Sequence, residues 1–166
     1  MFSIKKAENK DAQLIHDLAS RVWGPTYGAI LSPEQLNYMF DLMYAPESIV
    51  NQMTELGHQY FIVYDGETPS GYISIEKKEE DTYIFQKIYA LPEKQGTGMG
   101  RFMFEEGVRY LKGIHTGPFK VMLYVNRDNS ALGFYEHIGF RQVDTRDHHI
   151  GNGYYMNDYI MCMEVD

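Results

Sequence analysis

A glycine-rich segment between an expected strand and an expected helix constrains this chain more than any other feature. It spans residues 91–101 and carries Gly96, Gly98 and Gly100. Glycine lets the backbone approach a ligand closely and adopt positive φ. The first turn of the following helix leaves amide hydrogens unpaired and carries partial positive charge. The segment therefore predicts a cradle for a pyrophosphate, with Arg101 as an added cationic contact.

Two other kinds of glycine loop do not fit this segment. A dinucleotide-binding loop has the pattern G-x-G-x-x-G near the start of a βαβ unit, whereas here the glycines alternate and follow three expected strands. A P-loop ends in Gly-Lys followed by Ser or Thr, and no such dipeptide follows Gly100. A flexible connection that binds nothing remains the plain alternative.

Hydrophobic periodicity and turn residues predict the element order β-α-α-α-β-β-β-α-β-α-β-β, in a single domain over residues 1–166. This order is typical of an α+β sheet with helices on its faces. Gly24 and Pro25 are expected to end the first helix at Trp23. Asn129 is expected to begin a short helix, and His148 and His149 to lie in a loop before the last strand.

Charge and cysteine content limit the kinds of ligand and of cross-link that are expected for this chain. Lys and Arg number 15 against 23 Asp and Glu, a net charge of −8, which disfavours nucleic acid and favours a cationic substrate. The acidic balance is equally well explained by solubility alone. Cys162 is the one cysteine, so no intrachain disulfide can form. No signal peptide or membrane span is expected, and a cytoplasmic location without membrane association follows by default.

Gln95–Gly100 matches the pattern R/Q-x-x-G-x-G/A and follows the expected strand Ile88–Pro92. Asn126–Phe140 resembles the pattern N-x-x-A-x-x-F-Y-x-x-x-G-F. Together, in this order, these two motifs and the preceding strand resemble those of the GNAT family, the Gcn5-related N-acetyltransferases. Within the family, Tyr27–Met43 and the tail Gly151–Met161 look most similar to PaiA-like polyamine acetyltransferases.

The resemblance implies a fold and a reaction. The fold would be a mixed, mostly antiparallel sheet, splayed between its fourth and fifth strands, with helices on both faces. Acetyl-CoA would enter the split, and an amine would attack its thioester directly, without a metal. The implied coenzyme-binding residues are Ile88, Tyr89 and Ala90 for the pantetheine arm, Gln95, Gly96, Gly98, Gly100 and Arg101 for the pyrophosphate, and Asn126 and Asn129 near the arm.

Tyr135 matches the family tyrosine that lies near the thioester sulfur, where a phenol would donate a hydrogen bond or proton to the leaving thiolate. Its structural alternative is a core aromatic residue of a short helix. Many relatives carry a basic Glu on the fourth strand, but residues 83–88 hold no acid. The general base therefore stays unassigned, with candidates Glu76, His148, His149 and Asp158.

The acceptor is expected to be a small cationic amine such as a polyamine. A cleft lined by acids would attract it, and the aromatic residues Trp23, Tyr27 and Tyr38 would bind it through cation–π contacts. Three alternatives stay open: acetylation of a protein N-terminus or lysine, a non-catalytic acetyl-CoA-binding regulator, and transfer of another acyl group. Exposed tyrosine-rich stretches would suit a homodimer.

Overall fold

The computed structural model describes every residue of the chain, 1–166, and has the element order that the sequence predicts. Its strands are β1 (Phe2–Lys6), β2 (Gln59–Asp65), β3 (Thr68–Glu79), β4 (Thr82–Ala90), β5 (Phe119–Asn126), β6 (Arg141–Gly151) and β7 (Tyr154–Val165). Its helices are α1 (Ala12–Tyr27), α2 (Pro33–Tyr44), α3 (Pro46–Thr54), α4 (Met99–Ile114) and α5 (Leu132–Ile138). No helix is both long enough and apolar enough to cross a bilayer.

All seven strands form one sheet in the order β1-β2-β3-β4-β5-β7-β6. The β4–β5 pair is parallel and every other neighbouring pair is antiparallel. Helices α4 and α5 pack on one face around Phe85 and Phe104, and α1, α2 and α3 pack on the other around Tyr44 and Tyr72. The expected mixed sheet with helices on both faces is confirmed.

The sheet splits between β4 and β5. Only four residue pairs join these strands, from Thr82 opposite Lys120 to Phe85 opposite Leu123. Beyond Phe85 the strands diverge, so the backbone of residues 86–90 has no strand partner on its β5 side. The expected splay between the fourth and fifth strands is therefore present.

A β-bulge in β4 lies where the split begins. Ser74 pairs with Lys87 and Ile75 with Phe85, so Gln86 is an extra residue without a partner in β3. A bulge interrupts the alternation of side chains between the two faces of a strand. As a result, the consecutive residues Gln86 and Lys87 both line one cleft.

Three expected boundaries were wrong. Helix α1 continues through Gly24 and Pro25 to Tyr27, because Trp23 and Tyr27 are both buried in the core beneath it. Proline removes one hydrogen bond, and tertiary packing outweighs that loss here. Helix α5 begins at Leu132, and strand β6 runs to Gly151, so His148 and His149 lie in a strand.

Candidate active site

Two clefts meet at the split in the sheet. The glycine-loop groove, of about 650 Å³, lies between β4, α4 and α5. The aromatic cleft, of about 460 Å³, lies between the N-terminal helices and strands β3 to β7. Tyr27, Tyr89 and Tyr124 line both of them. A molecule in one cleft can therefore contact a molecule in the other at these three tyrosines.

The glycine-loop groove brings together Tyr135 and nine of the ten residues that the sequence suggests for coenzyme binding. They come from three elements of the chain: the unpaired end of β4, the glycine loop with the start of α4, and the segment before α5. The nine are Ile88, Tyr89, Ala90, Gln95, Gly96, Gly98, Gly100, Arg101 and Asn129.

Two glycines of the loop adopt conformations that disfavour other residues. Gly96 has φ of 79° and Gly98 has φ of 89°. A Cβ atom at either position would meet no protein atom within 4 Å, so the space beside the backbone is open. Gly98 immediately precedes α4, and no side chain caps that helix. The first amide groups of α4 are therefore free to bind an anion.

Gly100 has a packing role as well. A Cβ atom there would lie 3.1 Å from the ring of Phe134, so a side chain would press on the contact between α4 and α5. The loop itself is anchored by two ion pairs on opposite sides. Lys94 Nζ lies 2.8 Å from Asp65 Oδ2 and holds the pKa of that carboxyl below its usual value, and Glu93 pairs with Arg21 of α1.

Tyr135 is 8% exposed and its burial raises the pKa of the phenol above its ordinary value. Its ring packs on Phe134 and Phe140, with centroids 5.4 and 6.1 Å away. At neutral pH its hydroxyl is therefore protonated and can donate a hydrogen bond into the groove. Nearby, Asn129 Oδ1 accepts a hydrogen bond from Ala131 N at 2.8 Å, an Asx turn in place of the expected helix cap.

The aromatic cleft has a wall of hydrogen-bonded tyrosines. The hydroxyls of Tyr27 and Tyr89 lie 2.9 Å apart, and Tyr72, buried behind the lining, donates to the hydroxyl of Tyr44 at 2.8 Å. Burial raises the pKa of all four phenols, which stay neutral. The Trp23 ring packs on Tyr27 with centroids 4.6 Å apart. The wall therefore presents ring faces and hydroxyl groups but no fixed negative charge.

Charged residues of both signs line the aromatic cleft, so the expectation of an acidic lining was wrong. Glu76 and Asp158 are the acids, against Lys78, Lys87 and Arg146. Asp158 Oδ2 accepts a hydrogen bond from Arg146 Nε at 3.0 Å. Burial raises the pKa of Asp158, and Arg146 offsets only part of that shift.

Glu76 lies between two polar neighbours. Its Oε1 accepts a hydrogen bond from Gln86 Nε2 at 2.8 Å, and its Oε2 is 3.4 Å from His58 Nε2. Burial lowers the pKa of His58, although Glu76 acts in the opposite direction. The carboxylate thus borders the cleft with both oxygens engaged.

Lys87 is a functional candidate to which the sequence analysis gave no role. Its side chain is only 7% exposed and faces the aromatic cleft. Regular alternation along β4 would place it on the face of Phe85, inside the core beneath α4. The bulge at Gln86 reverses that alternation, and nothing in the local sequence announces a bulge.

Four other candidates differ in placement from expectation. Asn126, expected near the coenzyme, lines the aromatic cleft, because it shares a face of β5 with Tyr124. Tyr38 lines neither cleft; it donates to Ile150 O at 2.8 Å and packs on Tyr154. His148 lines the aromatic cleft, whereas His149 packs against Tyr155.

Comparison with known proteins gives a family match. The profile described as "Acetyltransferase (GNAT) domain" matches residues 56–142, more than half of the chain. Spermidine N(1)-acetyltransferase of Thermoplasma acidophilum is 25% identical over 147 residues, 86% of this chain and 89% of that protein. Mycothiol acetyltransferase of Kocuria rhizophila is 39% identical over 66 residues; the match covers 37% of this chain and only 21% of that longer protein.

Solved structures share the fold along the whole chain. The PaiA N-acetyltransferase of Thermoplasma acidophilum, crystallised in complex with coenzyme A, has a TM-score of 0.78 at 23% identity and covers 99% of both chains. The ribosomal-protein-S18-alanine N-acetyltransferase of Escherichia coli has a TM-score of 0.73 at 16% identity, covering 100% of this chain and 95% of that one. At these identities the likeness establishes the fold alone.

Proposed function

Because the chain belongs to the GNAT family of N-acetyltransferases, we propose that it transfers the acetyl group of acetyl-CoA to a small primary amine. The observation that carries this proposal is the meeting of two clefts at the split in the sheet. One cleft has the features of an anion cradle and the other is lined by aromatic residues. The shared tyrosines Tyr27, Tyr89 and Tyr124 mark where thioester and amine would meet.

The residues of the glycine-loop groove fit acetyl-CoA. The free amides at the start of α4 suit the pyrophosphate, and Arg101 adds a positive charge. The unpaired backbone of residues 86–90 suits the amides of the pantetheine arm, which would bond to it like an added strand. Among solved structures of this fold, the PaiA N-acetyltransferase was crystallised with coenzyme A.

Transfer would proceed by direct attack on the thioester. Cys162, the one cysteine, lies on β7 and lines neither cleft, so it offers no acyl-enzyme route. In direct attack the amine nitrogen bonds to the acetyl carbon while the carbon–sulfur bond breaks and its electron pair goes to sulfur. Tyr135 is suited to donate a hydrogen bond to that sulfur, which leaves as a thiolate; the comparable thiol of free cysteine has a pKa of about 8.5. Positioning and backbone amides of β4 would supply most of the remaining stabilisation.

A polyamine is the acceptor that we propose to test first. Aromatic ring faces attract ammonium groups by about 0.5–2 kcal/mol each, and Trp23, Tyr27 and Tyr89 line the cleft together. Glu76 adds a carboxylate at the border of the cleft, whereas the charge of Asp158 is balanced by Arg146. The Thermoplasma spermidine N(1)-acetyltransferase aligns along most of both chains, which supports the same choice.

A screen of amines with acetyl-CoA, measured by release of free thiol, tests the acceptor. Spermidine, spermine, a free-amino-terminal peptide and an N-blocked lysine peptide would be compared at equal concentration. We expect the polyamines to give the highest kcat/KM. Turnover of a peptide alone would refute the polyamine acceptor and favour protein acetylation. Coenzyme binding without turnover of any amine would point to the regulator.

A further inference from the structure

Lys87 is a buried lysine whose partners are all neutral. Its Nζ donates to Gln52 Oε1 at 2.9 Å and to the hydroxyl of Tyr60. The same atom lies 4.4 Å from the ring centroid of Tyr44 and 5.0 Å from that of Tyr60. No carboxylate forms an ion pair with it, in contrast to Arg146 on the opposite side of the cleft. A lysine held this way has no charge partner that fixes it in the protonated form.

Both protonation states of Lys87 fit these surroundings. A neutral amine has two hydrogens, enough for Gln52 and Tyr60, and keeps a lone pair that can accept a proton. The ammonium form gains attraction to the two tyrosine rings. Burial lowers the pKa of Lys87 to about 7. Near neutral pH the side chain can therefore take up and release a proton without losing either hydrogen bond.

Lys87 also lies near the junction of the two clefts. It stands two residues before Tyr89, which borders both clefts, and the bulge at Gln86 turns it into the aromatic cleft. The ionisable groups around it are Tyr44 of α2, His58 before β2, Tyr60 of β2, Glu76 and Lys78 of β3, Tyr89 of β4, and across the cleft Arg146, His148 and Asp158.

We propose that Lys87 takes the proton from the acceptor ammonium and so generates the amine that attacks the thioester. This inference rests on the proposed function. An N–H bond of the substrate ammonium breaks and an Nζ–H bond forms on Lys87. The freed lone pair forms the C–N bond, the C–S bond breaks, and the nitrogen's surplus proton passes to the thiolate. Lys87 then releases its proton to solvent, so that one proton is produced per acetyl transfer.

An acceptor ammonium buried beside Lys87 loses its proton more readily than the same group in water. Two ammonium groups in one desolvated cleft repel each other, which lowers the pKa of both and leaves one proton between them. An ordinary alkylammonium in water has a pKa of about 10.4, well above the value of about 7 for Lys87. Proton transfer from a fully solvated acceptor to Lys87 is therefore unfavourable. Burial of the acceptor in the aromatic cleft narrows that gap.

The acids of the cleft are less suited to this step. Asp158 is engaged by Arg146, and Glu76 by Gln86 and His58. Protonation of either carboxylate would weaken its attraction to these charged or polar partners. Lys87 keeps both of its hydrogen bonds when it does so.

The pH dependence of kcat/KM tests the inference, using whichever amine is turned over in the screen. The variants are Lys87→Met, which removes the base, Lys87→Arg, which keeps a charge that cannot be lost, and Lys120→Met, a control at an exposed strand lysine that lines neither cleft. We expect both Lys87 variants to lose about 10²–10⁴-fold in kcat/KM at neutral pH, with coenzyme affinity kept. Their residual activity should follow the deprotonated fraction of the free amine, whereas Lys120→Met should keep the wild-type pH profile.

Two kinetic results would overturn it. Wild-type activity in Lys87→Arg would make Lys87 a charge anchor instead of a base. The second concerns the fall of kcat/KM at low pH. If Asp158→Asn abolishes this fall while Lys87→Met keeps it, the base is Asp158.

A titration that needs no acceptor separates this inference from the proposed function. NMR of protein labelled with ¹³C at lysine Cε, assigned with Lys87→Met, should show one lysine titrating at a pKa near 7. An ordinary lysine pKa of about 10.4 would overturn the inference, whatever the screen finds. If no amine is acetylated but Lys87 titrates near 7, the proposed function fails and the proton-accepting property of Lys87 stands.

Discussion

The hydroxyl of Tyr135 is buried at the groove and remains protonated at neutral pH. In the proposed reaction, Tyr135 would donate a hydrogen bond to the leaving thiolate and keep its own proton, because burial raises the pKa of its phenol. We expect Tyr135→Phe to lower kcat by about 10²–10⁴-fold, with coenzyme affinity nearly unchanged because the ring stays in place. Phe134→Leu, which alters the neighbouring ring, serves as a packing control. Unchanged turnover in Tyr135→Phe, with chemistry rate-limiting, would refute the role.

Gly98 and Gly57 form a matched pair for testing the glycine loop. Both have positive φ, 89° and 73°, and both have open space where a Cβ atom would lie. Only Gly98 borders the groove. Alanine at either position should cost a similar backbone strain, about 1 kcal/mol, but only Gly98→Ala should weaken coenzyme binding, by tenfold or more as a rough expectation. Calorimetry on both folded variants measures this; equal affinities would contradict the cradle.

Lys87 makes a stability prediction that does not depend on activity. Its pKa is about 7 in the folded protein and 10.5 as the ordinary value. Between these values the unfolded chain binds the extra proton, so the free energy of unfolding rises with pH. Relative to Lys87→Met, the wild type should gain about 2–3 kcal/mol between about pH 7 and pH 9. Denaturant titrations of both proteins check it, and parallel pH profiles would show that Lys87 has an ordinary pKa.

At the level of elements, helix α2 holds the β6–β7 hairpin over the aromatic cleft. Tyr38 donates to Ile150 O, and Gln35 Nε2 donates to Tyr155 O at 3.1 Å. Ile150 and Tyr155 both line the cleft. Tyr38, first suggested as a substrate contact, is therefore a positioning residue for that wall.

Removing the Tyr38 hydroxyl should loosen this wall. Tyr38→Phe should cost about 1 kcal/mol of stability and raise KM for the amine more than KM for acetyl-CoA. Tyr110→Phe, on the opposite face of the sheet against Phe61, is the control. Equal effects on both KM values would mean that the hydroxyl acts on the whole fold and not on the cleft.

Element order and motif placement could be predicted from sequence because periodicity and glycine chemistry are local. The dipeptide Asn152-Gly153 is typical of a two-residue hairpin turn, and both residues have the positive φ that such a turn requires. The β6–β7 turn is therefore also predictable from the sequence. The continuation of α1 past Pro25 and the bulge at Gln86 depend on packing between distant elements. The orientation of Lys87 follows from that bulge, so its place in the aromatic cleft could not be predicted from the sequence.

For the whole molecule, the net charge of −8 remains relevant even though the cleft lining is mixed. Long-range attraction of a polycation depends on the total field and is screened over about 8 Å at physiological salt. We expect kcat/KM for spermidine to fall as salt rises, with kcat little changed. A monoamine of lower charge should show a shallower fall. A flat response for both amines would mean that the field does not steer the acceptor.

The narrow junction between β4 and β5 has a consequence for how fast the protein is degraded in a cell. Four residue pairs connect the strands β1–β4 with the strands β5–β7, so a molecule lying in the split bridges both parts of the sheet. A ligand at a hundred times its Kd stabilises its protein by about 2.7 kcal/mol. The fraction of unfolded chain, and with it exposure to proteases, would then decrease about a hundredfold when the coenzyme is abundant. Under the proposed function, the amount of this protein in a cell would thus follow the level of acetyl-CoA.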